Sequence, residues 1–143
     1  MFVWFVVKPS PQKETPMPRQ LISSGSPFEP EIGFSRAIRS GNRIEVSGTA
    51  PIRDGQVAGT DAYEQTKAAL EIILKAVEEA GGKASDIIRT RIFLTDMSLW
   101  KDAARAHGEI FSDIRPASSF IGTSALINPE WLVEIEASAQ IEE

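Results

Sequence analysis

Residues 132–139 read LVEIEASA. Val133, Ile135, Ala137 and Ala139 occupy alternate positions, and Glu134 and Glu136 alternate with them. Successive side chains of a strand point to opposite faces, so this spacing predicts a strand with one buried apolar side. The opposite side then carries two carboxylates in one row. They belong either to a solvated sheet face or to a site in which one of them does chemistry.

Other stretches supply partners for that strand. FSRAIRSGNRIEVSG, residues 34–48, holds two short runs around Ser40-Gly41-Asn42, and Gly and Asn tolerate the positive φ of a hairpin turn. Ile44 and Val46 face one way, Arg43, Glu45 and Ser47 the other, and Gly48 marks a strand end or a close backbone approach. DAYEQTKAALEIILKAVEEAGG, residues 61–82, is predicted to be a helix. Asp61 and Glu64 have capping-box spacing, Tyr63, Thr66, Leu70, Ile73, Leu74 and Val77 form the inner stripe, and Gly81-Gly82 ends it. DIIRTRIFLTD, residues 86–96, reads as a strand with Thr90, Ile92 and Leu94 on one face and Arg89, Arg91, Phe93 and Thr95 on the other. A second helix follows Asp96 or Ser98, with Trp100, Ala104, His107 and Phe111 on one stripe. SSFIGTSAL and LVEIEASAQI are the last strands, parted by the INPEW turn. The order is β-hairpin, α, β, α, β, β. Two helices cover only one face of such a sheet. Arg43, Glu45, Arg89, Arg91, Phe93, Glu134 and Glu136 are left on the other, either in water or paired across strands or subunits.

The whole chain narrows the function classes. Its 143 residues suit one domain, and 42% hydrophobic with 24% charged residues is ordinary for a soluble globular protein. The formal charge of −5 argues against nucleic acid as a partner, because phosphate binding needs clustered Lys and Arg. There is no cysteine, hence no disulfide or thiolate chemistry, and one histidine, His107, which excludes a multi-histidine metal site. A cytoplasmic location fits these features. MFVWFVV at the start is too short to span a bilayer and lacks the basic and small-residue flanks of a secretory signal. KPSPQKETPMPRQ behind it reads as a linker, and Met17 offers a second start. Residues 1–18 are therefore an N-terminal extension and residues 19–143 the domain.

Taken in order, IGFSRAI, IEVSGTAP, QTKAALEIILKAVEEAG, DIIRTRIFLTDM, RPASSF and LVEIEASA resemble the YjgF/RidA family, the reactive-intermediate deaminases also described as endoribonuclease L-PSP. The resemblance runs from about Ile32 to Ala139. It implies a chorismate-mutase-like α+β fold, assembled as a homotrimer with a central β-barrel and ligand pockets in the clefts between subunits. It further implies hydrolysis of small enamines and imines to 2-oxo acids and ammonia, with no metal and no cofactor. Non-catalytic metabolite binding and ribonuclease or translation-inhibitor activity are the alternatives within the family.

The same resemblance assigns roles by position. Glu134 matches the glutamate that positions the attacking water, and Ser47-Gly48 the pair whose backbone lines the pocket. Ser118 stands where the family has an arginine that grips a substrate carboxylate. A guanidinium offers charge and a planar pair of donors that a hydroxyl lacks. Phe34 replaces a pocket-closing tyrosine in Ile32-Gly33-Phe34-Ser35, which also lacks a proline. Ala104 replaces an asparagine and His107 a tyrosine. Either another arginine has taken over the anion or the substrate has none. Arg91 is the first candidate for that charge, Arg89 its competitor, and Arg36 and Arg43 follow. Arg91 is equally suited to a salt bridge with Glu134 or Glu136, and His107 to a packed, hydrogen-bonded place beside Trp100 and Phe111. Ser118 and Ser119 do not make a serine hydrolase, since no G-x-S-x-G elbow accompanies them.

Overall fold

Gly41 and Asn42 turn the chain between β2 (Ala37–Ser40) and β3 (Arg43–Thr49), with Gly41 at φ 61°. This is the expected hairpin, and it seeds the sheet of the computed structural model, which describes residues 18–142. Apart from Pro18, the predicted extension lies outside the described residues. β1 (Gln20–Ile22) adds to β2, and α1 (Phe28–Ile32) links them. Neither element was expected. Both are shorter than a period count resolves. β4 (Ile52–Arg53) and β5 (Gln56–Val57) form a separate ribbon around Asp54-Gly55, both at positive φ. That Asp-Gly pair is a hairpin signal in its own right.

α2 (Ala62–Glu79) begins where Asp61 accepts a hydrogen bond from the Glu64 N–H at 2.8 Å. It ends in a Schellman turn, with the Gly82 N–H on the Val77 carbonyl and Gly81 at φ 93°. Arg39 donates to the Ala80 carbonyl and Gln20 to that of Glu79, so a cation sits at the negative end of the helix. Leu70, Ile73 and Val77 are buried as expected, but Tyr63 stays at the surface with its hydroxyl on Glu109.

β6 (Ile87–Leu94), α3 (Trp100–Phe111), β7 (Ala117–Gly122) and β8 (Val133–Gln140) complete the sheet in the order β1-β2-β3-β8-β6-β7. All neighbours are antiparallel except β6 and β7, the pair joined through α3. Asp96 caps a 3₁₀ turn, Met97–Leu99, that leads into α3. The inner stripe of α3 is Ala103, Ala106 and Phe111. Of the expected stripe of Trp100, Ala104, His107 and Phe111, Phe111 is buried and His107 packs half-buried against it, whereas Trp100 is 44% exposed.

Both long helices lie on one face of the sheet, as the strand patterns require. Ile44, Val46, Ile92, Leu94, Val133, Ile135, Ala137 and Ala139 meet Leu70, Ile73 and Val77 there in one core. This is the expected α+β arrangement of a mixed sheet with two helices on one side. Among the described residues no helix is long and apolar enough to cross a membrane.

Candidate functional site

The register of β8 against β6 places Glu134 opposite Phe93 and Glu136 opposite Arg91, on the face away from the helices. Glu134 lies near the end of β8, where the pairing with β3 slips between Val46 and Thr49. Gly48 sits in that irregularity. A Cβ built on Gly48 would lie 3.2 Å from the Glu134 carboxyl carbon and 3.2 Å from Oε1. The missing side chain is what lets the carboxylate rest against the backbone. Burial pushes the Glu134 pKa up, Arg36 pulls it down, and Glu136 adds to the upward push. The upward effects win, as expected for a half-buried carboxylate.

Arg36 precedes β2 and shares the outer face with Ile38. Its Nη1 donates to the Gly48 carbonyl at 2.7 Å and to Thr49 Oγ1 at 2.9 Å. The Phe34 ring lies beside it, 5.7 Å from the guanidinium carbon to the centroid. Burial disfavours the charge of Arg36, and Glu29 and Glu134 support it. Glu29 is itself only 5% exposed. Burial opposes its charge, but hydrogen bonds from Ser24 and Ser23 and from the backbone of Ser24 and Ser26 hold its pKa below the ordinary value. The Ser47 hydroxyl donates to the Ser35 carbonyl at 2.6 Å, fastening residues 34–36 to β3. Phe34, Ser47, Gly48 and Glu134 thus come together, as the sequence suggested, around an arginine that ranked low among the candidates. An open concavity of about 520 Å³ is lined by Phe34, Ser35 and Ser47 together with Glu29, Ile38 and Glu45, while Arg36, Gly48 and Glu134 do not line it.

Arg91 is not part of this group. Its Nη1 lies 3.8 Å from Glu136 Oε1, with both side chains about 40% exposed: 40% and 39%. Arg89 donates to the Ser119 hydroxyl at 2.7 Å. Both arginines are therefore engaged on the outer face, one with the carboxylate next along from Glu134.

Ser118 and His107 form a second cluster on the helix face. Thr90, fully buried, brings its hydroxyl within 2.9 Å of His107 Nε2 and 2.7 Å of Ser118 Oγ. Ser118 and His107 are 3.4 Å apart. The His107 ring packs on Phe111 at 4.6 Å and near Phe120 at 6.2 Å, and burial lowers its pKa. Phe120 meets Trp100 edge-on at 6.3 Å. Thr90 was read from sequence only as part of the apolar row. Its polar role appears once β7 pairs in parallel with β6 and sets Ser118 beside it.

The loop between β7 and β8 is anchored by the buried Gln65 of α2. Gln65 accepts from the Leu132 N–H at 2.7 Å and donates to the Glu130 carbonyl at 3.0 Å. This clamp fixes the chain two residues before Glu134. Among the described residues, no group of three or more His, Cys, Asp and Glu side chains is placed to hold a metal ion.

Comparison with known proteins bears on this arrangement. The sequence profile of the endoribonuclease L-PSP family matches residues 25–141. An uncharacterised protein of Streptomyces coelicolor is 35% identical over 119 residues, covering 82% of this chain and 89% of that one. The 3-aminoacrylate deaminase RutC of Acinetobacter baylyi is 29% identical over 127 residues, covering 87% of this chain and 100% of its own. Among solved structures, a YjgF/YER057c/UK114 family member from Mycobacterium tuberculosis superposes with a TM-score of 0.81 at 42% identity, over 87% of this chain and 100% of the other. A Rid family protein from Yersinia pestis gives 0.78 at 27% identity, over 87% and 100%.

Proposed function

Because this chain belongs to the endoribonuclease L-PSP family, which also carries the YjgF, RutC and RidA names, we propose that it hydrolyses a small enamine or imine, with Glu134 holding the attacking water. The observation that carries this reading is the Glu134 carboxylate itself, half-buried on Gly48 with a raised pKa. A carboxylate in that setting is a better proton acceptor than one in water. The naming of one relative as a 3-aminoacrylate deaminase supports the substrate class, because 3-aminoacrylate is an enamine.

The chemistry is short. An enamine takes a proton on carbon and gives one up from nitrogen, and so becomes an imine. Glu134 removes a proton from water as the water oxygen bonds to the imine carbon, and the nitrogen gains a proton. Collapse of the carbinolamine breaks the C–N bond and releases ammonia and a carbonyl compound. The reaction is proposed to occur in clefts of a homotrimer. Within one chain the Glu134 group and the Ser118–Thr90–His107 cluster lie on opposite faces of the sheet, so a neighbouring subunit is what would bring the two sets to one ligand. Leu21, 65% exposed near the outer face, also suits such an interface.

The test is a coupled assay in which a pyridoxal-phosphate dehydratase generates an imine whose decay is followed with and without this protein. Wild type should accelerate decay. Glu134→Gln should abolish the acceleration. Gly48→Ala, which pushes a methyl group onto the carboxylate, should lower it by about tenfold or more. No acceleration by wild type, with metabolites still raising its melting temperature, would instead support a binding protein of the same family.

A further inference from the structure

Arg36 is anchored on the carbonyl of Gly48, the residue against which Glu134 rests, and yet the two make no ion pair at 4.0 Å or less among the described residues. The separation is enforced from both sides. Arg36 is tied down through Nη1 alone, to Gly48 and Thr49, while its Nε and Nη2 find no acceptor among the described residues. Glu134 is held against the Cα of Gly48. A guanidinium with unused donors and a carboxylate thus face the same end of β3 from adjoining anchors, with a gap wider than a direct contact. Phe34 walls the cation on one side.

We propose that Arg36 is the anion-holding residue of the Glu134 site, binding the carboxylate of a small 2-imino or 2-oxo acid. Nε and Nη2 present the planar pair of donors that a carboxylate accepts in bidentate fashion. The carbon next to that carboxylate then lies toward Glu134 and its water. Other arginines fit the role less well. Arg91 is drawn to Glu136, Arg89 to Ser119, and Arg43 to Glu45 at 2.7 Å. Ser118 is uncharged and hydrogen-bonded to Thr90. The Glu29 carboxylate is held by Ser24 and Ser26 and makes no ion pair with Arg36 among the described residues, so a ligand anion competes with no bonded partner there.

This inference rests on the reading of Glu134 as the residue of a ligand site, and its test separates the two. The probes are 2-oxobutyrate and its neutral counterpart butanone, titrated by calorimetry into the full-length protein. The variants are Arg36→Gln, Arg36→Lys, Arg91→Gln and Glu134→Gln, each checked for a native circular-dichroism spectrum. Wild type should bind 2-oxobutyrate in clear preference to butanone. Arg36→Gln should weaken the oxo acid by about 10- to 100-fold and erase that preference. Arg36→Lys, which keeps the charge without the fork, should fall between. Arg91→Gln should bind as wild type. Glu134→Gln should still bind the oxo acid while losing imine turnover.

Two results would overturn the assignment. One is a folded Arg36→Gln, or Arg36→Lys if Gln does not fold, that keeps full preference for the oxo acid. The other is transfer of that preference to Arg91. Failure of the catalytic reading looks different: no imine turnover in any variant, with oxo-acid binding still dependent on Arg36.

Discussion

The two faces of the central sheet are made by the same strands and obey different rules. On the helix face, β8 contributes Val133, Ile135, Ala137 and Ala139, all at 1% exposure or less. One residue along, on the outer face, stand Glu134 and Glu136, both partly open to solvent. The apolar face is governed by volume, so its substitutions cost stability. The outer face is governed by charge and spacing, so its substitutions should cost function first. The difference shows where a site can sit without weakening the fold: one pleat away from the core, where rigid strands hold the side chain but do not need it.

The sharpest way to break this contrast is to cut into each face and compare. Ile92→Ala, at a fully buried position, should lose about 2–5 kcal/mol in urea denaturation at pH 7. A loss below about 1 kcal/mol would mean that the helix face is not the core of the molecule.

Thr90→Val tests the polar island within that apolar face. Removing the buried hydroxyl leaves His107 and Ser118 without their shared partner, and about 1–3 kcal/mol should be lost. His107 adds a pH dependence of known sign. Burial lowers its pKa from 6.5, so as the pH falls below that value the unfolded chain takes up a proton before the folded one does. Stability should therefore rise with pH through the region just below 6.5. His107→Gln should flatten that part of the curve, and an unchanged slope would show that His107 does not carry it.

The smallest effect is the most discriminating. The Glu134 pKa is raised in the fold, so the folded state holds its proton to higher pH than the unfolded chain does. The ionised carboxylate is then a net cost once the pH exceeds that raised value. Glu134→Gln should leave stability at pH 7 unchanged or improve it by up to about 1 kcal/mol, while turnover disappears. A clear loss of stability at pH 7 would place Glu134 on the structural side of the comparison.

The sequence foretold these two faces because alternation and helical period are local properties. The β2–β3 hairpin, α2 and the strand around Ile92 were legible for that reason. So was the meeting of Phe34, Ser47, Gly48 and Glu134, through family resemblance. Arg36 ranked low because its place beside Gly48 depends on register. Only when residue 36 pairs beside residue 47 does its guanidinium reach Gly48 and Thr49. The Thr90–His107–Ser118 cluster was hidden in the same way, since it needs β7 parallel to β6 to set Ser118 beside Thr90. The ribbon at Asp54-Gly55 carried a readable signal and was missed through its brevity.

The placement of β8 has a kinetic consequence. It is the last strand in the chain, yet it lies between β3 and β6, and its Ser138 bonds to Glu45 across 93 residues. Until it arrives, β3 and β6 each expose an open edge, and the sheet exists as two halves. Pairing strands so far apart in sequence slows folding relative to a sheet built from sequence neighbours. The strand that carries Glu134 is thus also the one that joins the halves, so the proposed catalytic carboxylate reaches its place only as the sheet becomes whole.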